Sequence, residues 1–453
     1  MRHRLRSLLA LAAAVQVWIG SPVRADPIDD VMTRHLAAAE APGAAVVVVR
    51  HGAIEVERTY GLANVEWEQP VTNRTRFQLA SVTKLFTAVA LMRLQERGVL
   101  DLDDPVGRHL DGVPESWSGV TLRRLAGHAS GVSEAIGPND GSVDGIVRAA
   151  LATPLAYVPG AEARYGFVDY VILHRAMERA SGLGFTEILD REVLRPLDLD
   201  DTAYDHAVTA GDIRSARPLE RRADVYTVAD DGLRRHEYHY PANGYAAGGL
   251  YSSPRDVARL LQALQTGFLP REALEDMLRP ARLASGAPSS FGVGWNSRST
   301  RGRPIAAHSG GPALADVQYA WDDGLAVIVL TNQHRLLPLV AENILDLHLT
   351  PDFGPTVALD APRERAVRLA LASAAAGDLD ESVFTEAGLQ AAGPFLREWG
   401  LQLGRAVGAL NDVRLSTVGD DRDVLIIRFQ HQPMRWRVAF SEDHRIMHLA
   451  PTG

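Results

Sequence analysis

Cysteine is absent from this sequence of 453 residues. Its absence excludes disulfide bonds, thiolate metal ligands and a lipid anchor on a cysteine of this chain. Beyond the first 25 residues, no apolar run is long enough for a membrane-spanning helix. The net charge is −9 and the basic residues are scattered, so there is no basic patch for nucleic acid or anionic lipid.

Lysine is nearly absent as well. The chain holds 47 lysine and arginine residues together, and Lys84 is the single lysine, which leaves 47 − 1 = 46 arginines. An arginine guanidinium stays protonated in proteins, whereas a buried lysine amine can lose its proton. A position that needs a neutral amine cannot use arginine. The retained lysine therefore marks Lys84 as a candidate catalytic residue.

Lys84 closes the segment Phe-Gln-Leu-Ala-Ser-Val-Thr-Lys, which leads from a polar loop into a strongly helical run. The pattern predicts that Ser81 lies at a helix N-terminus. Residues three apart share a helix face, so the Ser81 hydroxyl and the Lys84 amine are expected to lie side by side. Such a pair has the chemistry of a nucleophile and its base.

The first 25 residues have the pattern of a secretory signal peptide. Arg2, Arg4 and Arg6 form a basic start, and the apolar stretch that follows is too short to cross a bilayer. Small residues occupy the −3 and −1 positions of a cleavage site that ends at Ala25. We expect an exported protein, periplasmic or secreted, with Asp26 as the mature N-terminus.

Strand patterns occur at both ends of residues 26–349, and helical patterns lie between them. A hairpin is expected at residues 44–60, and a helix is expected at residues 82–97. The late elements expected are strands at 291–295, 305–308, 315–321 and 325–331 and a helix at 337–347. This order predicts an α/β (α+β) fold, in which one antiparallel sheet is built from both chain ends and a helical subdomain is inserted between them.

A second unit is expected after the first. Residues 350–362 are rich in proline and small residues and are interpreted as a linker. Residues 363–453 begin with helical patterns, at 363–375 and 395–403, and end with strands. Apolar and charged residues alternate at 434–440, which is typical of a half-buried strand. A small accessory α+β domain is the expected result.

Further segments follow Ser81 in a distinctive order. They are Leu100-Asp-Leu-Asp-Asp-Pro-Val106, Thr121-Leu-Arg-Arg-Leu-Ala-Gly-His-Ala-Ser-Gly131, Pro159-Gly160 leading to Tyr165, Ala247-Gly-Gly-Leu250 with Ser252-Ser253, and His308-Ser-Gly-Gly311. Through these segments the chain resembles the serine β-lactamase and penicillin-binding-protein superfamily, specifically its class C-like branch, over roughly residues 30–349. That branch also contains D-aminopeptidases, DD-carboxypeptidases and esterases. A lone S-x-x-K is a weak signal, but the ordered set is specific.

The resemblance implies an antiparallel sheet flanked by helices beside an all-helical lobe, with the site in the cleft between them. It also implies acyl transfer, in which Ser81 attacks a carbonyl and Lys84 and Tyr165 form the base system. The oxyanion hole would use the backbone N–H groups of Ser81 and Gly311. His308, Ser309 and Gly310 would border the substrate. The resemblance implies no cofactor and no metal.

Two positions depart from the family pattern. The second motif usually ends in asparagine, which bonds the substrate's amide side chain, but here that position is Phe167. The third motif usually begins with lysine in β-lactamases, but here it is His308, which we expect to be only partly charged near neutral pH. Both changes argue against an efficient β-lactamase and favour small-molecule esters, amides or short peptides as substrates.

Alternatives remain open from the sequence. The chain could be a D-aminopeptidase, a DD-carboxypeptidase or a weak β-lactamase, or a binding protein that keeps the fold without turnover. His128 is interpreted as structural. The run from His236 to His239 lacks the H-E-x-x-H zinc spacing and lies in a polar insertion, residues 219–240, near the cleft. The sequence leaves the oligomeric state undetermined.

Overall fold

A computed structural model describes residues 26–210, 213–300, 303–311, 313–336, 339–349, 353–416 and 423–451. The expected signal peptide lies outside these residues. In the described part of the chain, no helix combines the length and the apolar character needed to cross a membrane.

The helices are α1 (Pro27–Ala39), α2 (Thr83–Glu96), α3 (Leu122–Ala126), α4 (Val143–Leu151), α5 (Val168–Ser181), α6 (Phe185–Leu189), α7 (Pro254–Gln265), α8 (Arg271–Leu278), α9 (Val340–His348), α10 (Ala361–Ala375) and α11 (Glu386–Val407). A single 3₁₀ turn, Ala80–Val82, precedes α2. Ser81 therefore lies in this turn, just before the α-helix.

The strands of the first 349 residues are β1 (Gly43–Arg50), β2 (Ala53–Asn64), β3 (Gln69–Pro70), β4 (Phe77–Gln78), β5 (Ala203–Tyr204), β6 (Val208–Ala210), β7 (Ile213–Ser215), β8 (Val225–Ala229), β9 (Gly232–His236), β10 (Leu250–Ser252), β11 (Asn296–Thr300), β12 (Arg303–Gly310), β13 (Ala313–Ala320) and β14 (Leu325–His334). The later strands are β15 (Thr356–Ala358), β16 (Leu410–Ser416), β17 (Asp423–Phe429), β18 (Pro433–Phe440) and β19 (Ile446–Pro451).

The main sheet joins the two ends of the first 349 residues. Its order is β11-β12-β13-β14-β1-β2-β3, and β1 pairs antiparallel with β14, with Ala44 opposite Thr331. Alternate residues of β1 pack on opposite faces, with Val47 on the side of α2 and α7 and Val46 on the side of α1 and α9. The predicted antiparallel sheet between helices is confirmed.

The helical part lies between these strands. Helix α2 is buried at every residue from Thr83 to Met92, so it is a core helix rather than one with a single buried face. Helices α3, α4 and α6 pack against α5, and α6 also contacts α2. The short strand β4 pairs with β10, which brings the chain before Ser81 beside residues 250–252.

Two expected elements differ from the structure. The strand expected at 291–295 is a loop, because Gly294 has a φ of 76° and lies against Ala88 and the Lys84 carbonyl. Part of the expected linker, residues 350–362, is structured: β15 pairs with β16, and α10 begins at Ala361 behind the capping side chain of Asp360. The proline in the first turn of α10 is a helix-start signal, although the composition of this segment is also typical of a linker.

The chain after residue 353 forms its own sheet, in the order β15-β16-β17-β18-β19, and its apolar core is covered by α10 and α11. Trp436 is fully buried in that core. Ala38 of α1 and Leu339 belong to the same apolar cluster. The Arg34 side chain donates to the carbonyl of Ala406 over 3.2 Å, so α1 contacts both parts of the chain.

Candidate active site

The turn that carries Ser81 is held in a strained conformation. Ala80 is buried and has a φ of 45°, a left-handed conformation that costs a non-glycine residue about 1–2 kcal/mol. The turn lies against the end of β12, where Gly310 leaves no room for a side chain. A Cβ on Gly310 would overlap the Leu79 carbonyl and lie 3.1 Å from the Ser81 nitrogen. Because of this close approach, the turn that precedes α2 lies directly against the end of β12.

Lys84 is buried beside Ser81, with an exposed fraction of 2%. Its Nζ lies 2.7 Å from the Tyr165 hydroxyl and 3.0 Å from the carbonyl oxygen of Ala247. Burial lowers the pKa of Lys84 from 10.5 to about 7, although the negative charge of Glu134 opposes this shift. A large fraction of the amine is therefore unprotonated at neutral pH.

Tyr165 completes a chain of three polar groups. Its ring is half open to the cleft, with an exposed fraction of 48%, while its hydroxyl points inward to Lys84. The Ser81 hydroxyl is close enough to the Tyr165 oxygen to work against the rise of the Tyr165 pKa. Burial raises the pKa of Tyr165, so the phenol keeps its proton near neutral pH. The structure thus brings together Ser81, Lys84 and Tyr165.

His128 shapes the loop that carries Tyr165. Its carbonyl accepts the N–H of Arg164 over 2.8 Å, and its Nδ1 accepts the N–H of Gly166 over 3.2 Å. The imidazole packs 4.5 Å from the Tyr165 ring, and burial holds its pKa well below the ordinary range. A neutral ring with an unprotonated Nδ1 suits these contacts, which are those of a structural residue.

The opposite wall of the site is the end of β12. His308 is buried, with an exposed fraction of 3%, and its Nδ1 lies 2.9 Å from the carbonyl of Ser309. Burial and the charge of Lys84 lower the pKa of His308 to about 3. Our expectation of a partly charged His308 was wrong, because the sequence did not reveal how deeply this ring is enclosed. Ser309 donates its hydroxyl to Asp316 over 2.9 Å.

Tyr240 contacts this wall from the polar insertion. Its hydroxyl donates to the carbonyl of Gly311 over 2.9 Å. Its ring covers Gly248 and Gly249, where an added Cβ would overlap or crowd ring atoms. Tyr240 therefore connects the peptide of Gly311 with the segment that holds Lys84. Sequence reasoning missed this residue, and its only signal was its position at the end of the insertion.

Phe167 and Glu134 border Tyr165 on the other side. The Phe167 ring is 39% exposed and packs against Gly244, with an atom 3.4 Å from the Cβ position of that glycine. The Glu134 carboxylate accepts the N–H of Val168 at the start of α5 over 2.9 Å. No sequence motif marks Glu134, so only the structure reveals its position.

The remaining histidines form no evident metal site. Among the residues that the structure describes, no three side chains of the ligand types His, Asp and Glu are grouped so as to hold a metal ion. His236 stacks on His334, with ring centroids 4.3 Å apart. His239 lies 3.5 Å from a carboxylate oxygen of Asp205.

A comparison with protein families gives a match over more than half of the chain. The family model described as "Beta-lactamase" matches residues 28–349. The chain belongs to the beta-lactamase family. This beta-lactamase-family chain is 31% identical to Esterase EstB of Burkholderia gladioli over 307 residues, which cover 59% of the chain and 77% of the esterase. It is therefore a serine hydrolase.

Two other relatives of this family member are similar over different lengths. Penicillin-binding protein 4* of Bacillus subtilis (strain 168) is 28% identical over 312 residues, which cover 64% of the chain and 68% of that protein. Protein flp of Staphylococcus aureus (strain N315) is 25% identical over 187 residues, which cover 39% of the chain and 38% of that protein.

Proposed function

We propose that the chain is an exported serine hydrolase that cleaves esters or short amide and peptide bonds through an acyl-enzyme on Ser81. The contact that carries this proposal is the one between the Lys84 amine and the Tyr165 hydroxyl, at 2.7 Å, in a pocket that lowers the pKa of Lys84 to about 7. An amine with such a pKa can accept a proton at neutral pH and return it.

The proposed acylation step uses the three groups in sequence. Ser81 Oγ attacks the substrate carbonyl, and its proton passes to the Tyr165 oxygen while the phenol proton moves to Lys84. Collapse of the tetrahedral intermediate breaks the bond to the leaving group, which takes the proton back. Water then repeats the attack on the acyl-enzyme and releases the acid. The raised pKa of Tyr165 supports a relay role for the phenol rather than a permanent tyrosinate.

The backbone N–H groups of Ser81 and Gly311 are the proposed oxyanion hole. In the described structure, the Ser81 N–H has no main-chain hydrogen-bond acceptor, so it is free to bind a substrate oxygen. One such donor is worth about 10²–10³ in rate. The hydrogen bond from Tyr240 to the Gly311 carbonyl holds the peptide that follows Gly311, next to the peptide that carries the Gly311 N–H.

An ester or a small amide is the proposed substrate class. A neutral His308 offers no positive charge to a substrate carboxylate, and Phe167 offers no hydrogen bond to an amide side chain. Both features disfavour efficient β-lactam hydrolysis. The similarity to Esterase EstB agrees with this class.

A peptidase of the D-aminopeptidase or DD-carboxypeptidase type, or a weak β-lactamase, is the second candidate. The similarity to Penicillin-binding protein 4* over 68% of that protein favours this group. A binding protein without turnover is the remaining alternative, which the shifted pKa of Lys84 disfavours.

Active-site labelling tests the mechanism. A fluorescent phosphonate should label the wild-type protein, and digestion should locate the label on Ser81. The Ser81→Ala variant should remain unlabelled. Labelling of that variant to the same extent would exclude Ser81 as the nucleophile.

A substrate panel tests the substrate class. The values of kcat/KM should be compared for short-chain aryl esters, a chromogenic cephalosporin and D-alanyl amides. We expect the aryl esters to be hydrolysed best. Preference for the cephalosporin would contradict the roles assigned to Phe167 and His308.

Export and the division into two units are also proposals. Cleavage after Ala25 would leave Asp26, whose carboxylate caps α1 by accepting the N–H of Ile28 over 3.0 Å. Mass spectrometry of the protein from its native cell fraction should give a chain that begins at Asp26. Separate apolar clusters support a hydrolase unit up to residue 349 and an accessory α+β unit after it.

A further inference from the structure

One carboxylate of the cleft is not used in the proposed mechanism. Glu134 is exposed, and one of its oxygens accepts the N–H of Val168 over 2.9 Å. The same carboxylate lies against Gly166, the residue after Tyr165, where an added Cβ would be 2.5 Å from it. Glu134 therefore lies beside the loop whose tyrosine contacts Lys84.

The charge of Glu134 acts on the two groups of the proposed base system. It opposes the lowering of the Lys84 pKa by burial and adds to the raised pKa of Tyr165, of which burial is the main cause. Within the described residues, Glu134 bonds to a main-chain N–H and pairs with no arginine or histidine. Its second oxygen is thus open to a ligand. The nearby Arg164 is already paired with Glu162 at 2.6 Å.

The surroundings favour a positive ligand over a negative one. His308 is neutral at physiological pH, so the wall formed by β12 contributes no cation. Phe167 and Tyr240 add aromatic surface, on which a cation can also rest. A negative group in a cleft of this kind attracts cations and repels anions.

We propose that Glu134 binds an ammonium group of the substrate. This inference rests on the proposed acyl-enzyme function, and it narrows the substrates to esters or amides that carry a positive charge close to the scissile carbonyl. The charge can belong to the acyl part, as in an amino-acid amide, or to the leaving alcohol, as in a choline ester.

Matched substrate pairs test the proposal and separate the two positions. In the first pair, D- or L-alanine p-nitroanilide is compared with isobutyric p-nitroanilide, in which a methyl group replaces the ammonium. In the second pair, butyrylcholine is compared with 3,3-dimethylbutyl butyrate. We expect the wild-type enzyme to prefer the charged member of at least one pair by about tenfold in kcat/KM.

The Glu134→Gln variant removes the charge and keeps an oxygen for the Val168 N–H. We expect the ratio of charged to neutral substrate to fall to near one in this variant. The ratio in wild-type enzyme should also fall as salt is added. Glu115→Gln is the matched control, since Glu115 is an exposed carboxylate in a different segment, the 3₁₀ turn Glu115–Trp117, and this variant should keep the wild-type ratio.

The outcomes separate this inference from the proposed function. If phosphonate does not label wild-type Ser81, the proposed function fails. If the phosphonate does label Ser81, each substrate of a pair can be added as a competitor. The extent to which it slows labelling then measures its binding, even where its turnover is slow. Equal protection and equal kcat/KM within both pairs, or an unchanged ratio in Glu134→Gln, would overturn the role of Glu134.

Discussion

At the scale of single residues, the pKa of Lys84 follows from the buried position of its amine. A lysine on the surface would keep a pKa near 10.5 and could not accept a proton at neutral pH. The buried amine of Lys84, with its Nζ between the Tyr165 hydroxyl and the Ala247 carbonyl, has a pKa of about 7. Desolvation outweighs the opposing charge of Glu134.

Replacing Lys84 with arginine tests the need for a neutral amine. Lys84→Arg keeps the positive charge but cannot release its proton near pH 7. We expect kcat/KM on an aryl ester to fall by at least two to three orders of magnitude, about 3–4 kcal/mol. Circular dichroism and thermal melting should verify the fold of the variant. Turnover close to that of the wild-type enzyme would exclude this role.

The pH dependence of the reaction tests the same pKa without a substitution. Protonation removes the base, so kcat/KM on a neutral ester should rise about tenfold per pH unit below pH 7 and level off above it. His308 has a pKa of about 3, and the pKa of Tyr165 is raised. Neither group should therefore change the pH profile of kcat/KM between pH 5 and 9. Ser81→Ala gives the uncatalysed background. A flat profile across that range would contradict a titrating Lys84.

The sequence pointed to some of these residues and not to others. Ser81 and Lys84 were predicted from the S-x-x-K spacing and the lone lysine, and Tyr165 from the family resemblance; the structure brings Lys84 and Tyr165 into contact. The charge state of His308 was mispredicted, and Tyr240 and Glu134 were missed. Those three depend on burial and on contacts between distant segments, and no spacing in the chain encodes them.

At the scale of elements, the decisive contact is the one between the Ser81 turn and the end of β12. The left-handed Ala80 can persist only where the surroundings hold it, and Gly310 supplies a surface without a side chain. The sequence predicted both the helix and the strand, but it did not predict that they meet at this glycine.

Two neighbouring glycines provide a matched test of that contact. In Gly310→Ala, the new Cβ would overlap the Leu79 carbonyl and crowd the Ser81 nitrogen, so we expect a stability loss of about 1–3 kcal/mol and a lower kcat/KM. In Gly311→Ala, the new Cβ would meet no described atom within 4 Å, so the melting temperature should be unchanged. Equal melting temperatures for the two variants would show that the turn at residues 80–82 can shift to accommodate the added Cβ at position 310.

The misassigned segments have a local explanation. Residues 291–295 carry the composition of a strand, but Gly294 has a positive φ because it fits against the second turn of α2. Residues 356–358 form a strand through pairing with β16, more than 50 residues later. Both outcomes are decided by tertiary contacts, which override local composition.

At the scale of the whole molecule, two sheets with separate apolar cores share one helix. Ala38 of α1 belongs to the core formed after residue 353, whereas Val31 and Met32 of the same helix pack against the main sheet. The polar contacts from Arg34 to Ala406 and from Gln402 to Arg335 lie at the same junction. Helix α1 thus contacts both apolar cores and contributes to the junction between the two parts.

Two adjacent alanines of α1 test this coupling. Ala38 is 7% exposed and contributes to the later core, whereas Ala37 is exposed to solvent. Both lie in the last turn of the helix, so an aspartate at either position meets the same unfavourable helix dipole. Only Ala38→Asp also buries a carboxylate, which costs about 2 kcal/mol or more. We therefore expect Ala38→Asp to melt at a lower temperature than Ala37→Asp.

Limited proteolysis of the same two variants should locate the weakened junction. Ala38→Asp should be cleaved faster near residues 350–360, because loosening of α11 from α1 exposes the connection between the two parts. Ester hydrolysis at room temperature should stay within about twofold of wild type, since the neighbours of Ser81 and Lys84, Val82 and Leu85, belong to a different apolar cluster from Ala38. Equal melting and cleavage of the two variants would show that the later sheet contributes nothing to the stability of the hydrolase unit. A selective loss of activity in Ala38→Asp would instead show that the later sheet also supports the active site.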